Sequence, residues 1–194
     1  MRALRFHSGP RPPPLAEWRK TPLAGGQLVS LESLRGVEQE ALEVLAAAPP
    51  KPNLRALWLV GDVGVPHRPA PAWARWWAAI FPAHPRLREV HLGWSGTRAS
   101  TEGRLEGVLA TDLERVIVEA SAYELVELHA WWLARSPRFA FHAELRDARL
   151  AARLEYTRDA LLLRAPPATR AAAEQQVREH WPAHRPMSPL HLVP

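Results

Sequence analysis

Residues 53–59 read Asn53-Leu-Arg-Ala-Leu-Trp-Leu59. Leu57 and Leu59 stand two apart, the spacing that puts side chains on one face of a pleated strand. Gly61-Asp62-Val63-Gly64 breaks the run, so a strand is predicted over 54–60. After a proline-rich loop come Trp73, Trp76, Trp77, Ile80 and Phe81, at i, i+3, i+4, i+7 and i+8. That stripe is the signature of an amphipathic helix over 71–81. Pro71 suits its first turn and Pro82 its end.

Two further stretches have the same form: Arg86-Leu-Arg-Glu-Val-His-Leu92 and Asp112-Leu-Glu-Arg-Val-Ile-Val118. Their first leucines, 54, 87 and 113, lie 33 and 26 residues apart; Leu28 precedes Leu54 by 26 and Phe139 follows Leu113 by 26. A helical pattern precedes or follows each strand. Val37–Ala48 carries acidic residues in its first turn and ends at Pro49-Pro50. Residues 101–110 form a shorter helical candidate containing two glycines. In 123–134, Leu125, Leu128 and Trp132 share a face. The last third changes character: 139–145, 150–156 and 160–164 alternate with charged links between them, the pattern of an antiparallel meander. A final helix is predicted over 169–181.

The three matched stretches resemble the strand motif of leucine-rich repeats of the long, helix-containing kind, Leu-x-x-Leu-x-Leu. Leu54, Leu57 and Leu59 fit it, as do Leu87, Val90 and Leu92, and Leu113, Val116 and Val118. The family's Asn or Cys position is missing, with Asp62 and Ser95 the nearest stand-ins. The resemblance covers about half the chain and implies stacked parallel strands with helices on at least one face. The fold class read here is therefore α/β, with repeated strand–helix units forming one sheet and a meander plus helix at the C-terminal end. A leucine-rich-repeat-like stack and a compact mixed sheet both satisfy it. One domain is expected over 1–182, followed by an extended proline-rich tail over 183–194.

The chain has 194 residues, a formal charge of +5 and no cysteine. A disulfide framework, thiolate metal ligands and a cysteine nucleophile are thereby excluded. The basic excess is arginine, since Lys20 and Lys51 are the only lysines. Arginine and glutamate alternate closely, as in Leu87-Arg-Glu-Val90, which suits a solvated surface better than a nucleic-acid footprint. A GC-rich bacterial coding bias accounts for the preference. The N-terminus lacks the apolar run of a signal peptide and no segment has membrane-spanning length, so a cytoplasmic location is expected.

Candidate chemistry is sparse. His180 and His184 have metal-ligand spacing, but Pro182 interrupts the turn between them. Gly61–Gly64 follows a strand yet fits neither a dinucleotide nor a phosphate-loop pattern. Asp62 and Glu119 fall near strand ends, where open sheets place ligands. His142 and Glu144 share a strand face with Ser136 upstream, while Gly93-Trp94-Ser95-Gly96 is one residue short of a nucleophile elbow. No catalytic, metal or cofactor residue is assigned, and no cofactor is expected.

Nine tryptophans are the most distinctive feature of the composition. Adjacent pairs such as Trp76-Trp77 cannot share one core line, so one member of each is expected at the rim or against a partner. Tryptophan is enriched at interface hot spots. The chain is therefore read as a non-enzymatic protein–protein interaction module: an adaptor, an inhibitor or a subunit of a larger bacterial assembly. Trp77, Trp94 and Trp131 are the expected contact residues and another protein the expected partner. The alternative is a nucleic-acid-associated subunit using Arg146, Arg149, Arg153, Arg158 and Arg164. No membrane association is expected.

Overall fold

The computed structural model describes residues 3–5, 15–25, 28, 30–37, 39–59, 70–93, 104–109, 111–135, 137–147, 149–157, 159–181 and 189–193. They form an α/β structure in two compact units, Met1–Leu113 and Glu114–Pro194. The domain expected over 1–182 spans the first unit and most of the second. Within the expected tail, residues 190–193 form a strand.

In the N-terminal unit, β1 (Ala3–Arg5), α1 (Leu15–Trp18), β2 (Ser33–Val37), α2 (Gln39–Ala47), β3 (Ala56–Leu59), α3 (Ala70–Ala83) and β4 (Glu89–Leu92) follow one another. A further helix, α4, is described over residues 104–108. The four strands are parallel and neighbour each other in chain order. Right-handed crossovers in such an order place the connecting helices on one side of the sheet. Burial agrees: β3 and β4 each alternate half-buried with buried residues. Leu34, Leu57 and Val90 lie in register and are fully buried.

The repeat has a different phase from the one its leucine spacing implies. Strands β2, β3 and β4 are each entered through a turn in which a leucine N–H donates three residues back. Leu31 donates to Leu28, Leu54 to Lys51 and Leu87 to His84, at 3.1, 3.0 and 2.9 Å. Leu31, rather than Leu28, is thus the counterpart of Leu54. Strand β2 begins at Ser33 and takes in Val37, the first residue of the helix expected over 37–48. A register shift between Leu34 and Val37 adds a residue there, which breaks the period-two pattern in the sequence. Helix α3 runs through Pro82, whose missing N–H falls in the last turn.

The C-terminal unit comprises β5 (Arg115–Ala120), α5 (Glu124–Arg135), β6 (Ala140–Leu145), β7 (Arg153–Tyr156), β8 (Leu161–Arg164), α6 (Arg170–His180) and β9 (Leu190–Val193). Strands β6, β7 and β8 pair antiparallel. The meander is extended on both sides by parallel partners, β5 beside β6 and β9 beside β8. Ser121 opens α5 with a capping box: its N–H and hydroxyl both donate to Glu124 Oε2, at 2.8 and 2.7 Å. The core gathers around Tyr156, whose hydroxyl donates to the Leu125 carbonyl at 3.1 Å and whose ring lies 5.2 Å from that of Phe141. Burial drives the Tyr156 pKa upward, so the phenol stays protonated.

Candidate functional site

The N-terminal unit buries Leu57, Leu59, Val90 and Leu92 beneath its helices, so the intervening residues of β3 and β4 point the other way. That second face carries a row of polar and aromatic groups. Trp58 and His91 are register partners, with rings 5.4 Å apart and tilted by 38°. On the other flank the Arg35 guanidinium sits 4.2 Å from the centre of the Trp58 ring, a cation–π contact. Arg5 lies beside Arg35 in register, and both arginines are exposed. Trp58 is half-buried, whereas the seven other described tryptophans are buried.

Trp77 and Trp131, two of the expected contact residues, are 0 % and 6 % exposed, so neither indole reaches the surface; Trp94 lies outside the described residues. The expectation that one of each adjacent pair reaches the rim fails: both members of the pairs Trp76-Trp77 and Trp131-Trp132 are buried. Trp76 meets Trp73 edge-on at 5.3 Å, while Trp77 leans on Phe81 at 5.6 Å. Trp131 packs on Phe141 and Trp132 on Tyr156. Trp58 was legible as the outward residue between two inward leucines, a signal overshadowed by the helical pairs.

In the turns that lead toward β3 and β4 lies a buried basic pair. The Lys51 main-chain N–H donates to His84 Nδ1 at 3.1 Å. The Lys51 ammonium reaches the carbonyls of Gly25 and Pro49 at 3.4 and 3.3 Å. Burial, and then the neighbouring Lys51 charge, lower the His84 pKa to about 4, so the ring is neutral at pH 7. Burial also lowers the pKa of Lys51. A neutral, hydrogen-bonded imidazole locks two turns together and is poorly placed for proton transfer near neutrality. His84 also borders a cleft of about 580 Å³ floored by Trp77, Phe81 and Leu87, with Glu106 and Asp112 at its edge.

Most of the sequence candidates for catalysis lie beyond what the structure describes. Asp62, His184, Ser136 and residues 94–96 lie outside the described residues. His142 lies 4.0 Å from Glu155, and Glu144 pairs with Arg153. Among the described residues, no three His, Asp or Glu side chains gather to hold a metal ion. No described helix is long and apolar enough to cross a membrane.

The C-terminal unit holds a second polar feature. Glu119, Glu144, Arg153 and Arg164 lie in one register row across β5, β6, β7 and β8. They border an open cavity of about 820 Å³ together with Arg146 and Arg170. Three of the five sequence-predicted arginines thus converge there. Arg149 is exposed and does not border the cavity, and Arg158 is outside the described residues.

The N-terminal unit is therefore a parallel α/β structure with one helix-covered face and one face presenting Arg35, Trp58 and His91. No protein-family model, curated protein or solved structure matches the chain.

Proposed function

We propose that the chain is a non-enzymatic protein–protein interaction module, an adaptor, inhibitor or subunit of a larger assembly. Its contact face is the side of the N-terminal sheet that bears Trp58, which no described helix covers. The observation that carries this reading is Trp58, half-buried between Arg35 and His91 on that side. Parallel sheets are ordinarily covered on both faces, so a face that no described helix covers invites a partner. Tryptophan and arginine are the residues most enriched at binding hot spots. Arg5 and Arg35, both exposed, favour a partner that offers carboxylates around an apolar centre. Strand order equal to chain order, with helices on one side, also supports the leucine-rich-repeat-like reading, in which the stacked strands form the binding surface.

The test is a capture experiment with three forms of the full chain. A genuine partner binds the wild type and an Arg75→Glu variant, altered on the exposed part of α3, and is lost from an Arg35→Glu/Trp58→Ala variant. Replacing a hot-spot tryptophan and reversing its neighbouring charge is expected to weaken binding by about 2 kcal/mol or more, some thirtyfold. Partners that bind all three forms equally would place the contact elsewhere and defeat the proposal.

A further inference from the structure

We infer that the arginine-lined cavity of the C-terminal unit is a binding site for a small phosphorylated polyhydroxyl compound, such as a sugar phosphate. Four guanidiniums, those of Arg146, Arg153, Arg164 and Arg170, border it against two carboxylates, Glu119 and Glu144. The lining thus carries more arginines than carboxylates, a balance that favours an anionic ligand. Planar guanidinium forks suit phosphate geometry.

Local partners engage some of these groups. Arg153 pairs with Glu144, its neighbour across β6 and β7. Arg164 Nε lies 3.9 Å from Glu155 with its side chain about half exposed, so solvent screens that pair. Arg170 is different: its Nε is buried and has no hydrogen-bond partner among the described residues.

Helix α6 begins at Arg170, and Pro166, Pro167 and Arg170 all border the cavity. Its N-cap, Thr169, makes no side-chain cap. The Thr169 hydroxyl instead donates to the Leu150 carbonyl at 2.7 Å. The first N–H groups of α6 therefore lack the side-chain acceptor that usually serves them, and the positive end of the helix adds to the field of the arginines.

The remaining lining selects among phosphorylated ligands. Glu119 and Glu144 supply acceptors for hydroxyl groups. No aromatic ring borders the cavity among the described residues, so nothing there would stack on a nucleobase. A volume of about 820 Å³ fits a small molecule.

Calorimetric titration of the full chain tests this with glucose 6-phosphate, glucose, inorganic phosphate and a single-stranded oligonucleotide as probes. Saturable binding of glucose 6-phosphate is expected, tighter than that of glucose or of inorganic phosphate. Arg164→Ala and Arg170→Ala should each weaken it about tenfold or more. Arg75→Ala on α3 should leave it unchanged. Arg164 is exposed, so its variant reports on binding even if Arg170→Ala disturbs the fold. The inference is overturned if no phosphorylated probe saturates below about 10 mM, or if Arg164→Ala binds like the wild type. It is equally overturned if the oligonucleotide binds more tightly than the sugar phosphate and displaces it.

Discussion

The main-chain N–H of Lys51 donates to Nδ1 of His84, 33 residues further on, at 3.1 Å. The two residues occupy the same place in successive units, three before Leu54 and Leu87, whose N–H groups close the turns onto their carbonyls. One turn thus grips the next through a buried imidazole, and the strands that follow, β3 and β4, are set in register.

That bond requires an unprotonated Nδ1, so acid should loosen the N-terminal unit. The ordinary histidine value is 6.5, and in the fold it is lowered to about 4. Because the folded value is depressed, the unfolded chain binds the proton more readily between the two. Stability is fully present above about pH 6.5 and falls as pH drops toward 4, by up to about 1.4 kcal/mol per pH unit. Urea midpoints measured from pH 7.5 to 4.5 should decline through this window. His84→Asn, which keeps an acceptor for the Lys51 N–H, should flatten the decline. An identical slope in the variant would assign it to other groups.

Gly107 in α4 meets the buried Trp77. A Cβ at this position would overlap Trp77 Cδ1 and stand 3.2 Å from the Ala74 main-chain nitrogen. On propensity alone, alanine would improve a helix by about 1 kcal/mol over glycine. Overpacking against a fully buried indole should reverse the sign, so Gly107→Ala is expected to destabilise by about 1–3 kcal/mol. Chemical denaturation measures it, and a stabilised variant would contradict the packing described.

Among the described tryptophans only Trp58 is not buried. Trp58→Phe should therefore lower the acrylamide-quenchable share of the fluorescence with a stability change under about 1 kcal/mol. Trp77→Phe should leave that share intact while destabilising by about 1–3 kcal/mol through lost packing. The opposite assignment of the two effects would place the wrong indole outside.

The parts of the fold visible in the sequence are those governed by local periodicity. Leu57, Leu59, Val90 and Leu92 were readable as inward residues because a strand repeats every two positions, and the α3 stripe because a helix repeats every 3.6. Strand β2 was not evident in the sequence because its register shift between Leu34 and Val37 interrupts that period. The buried state of both Trp76 and Trp77 was hidden because a one-dimensional stripe does not reveal what packs around a helix. The arginine cavity was only half visible. Arg146, Arg153 and Arg164 stood out by composition, but their meeting with Glu119 and Arg170 depends on pairing across four strands.

The central claim is that the face of the N-terminal sheet bearing Arg35 and Trp58 is accessible while the other is roofed by helices, and thiol labelling tests it most directly. The chain has no cysteine, so single-cysteine variants have no background. Arg35→Cys places a thiol on that face at β2, and Ala41→Cys places one in the buried part of α2. Under native conditions the first thiol should react with a maleimide reagent at nearly its rate in urea, and the second at least about a hundredfold more slowly than in urea. Equal protection of both thiols would mean that the face bearing Trp58 is covered, and the binding surface proposed for it would be lost.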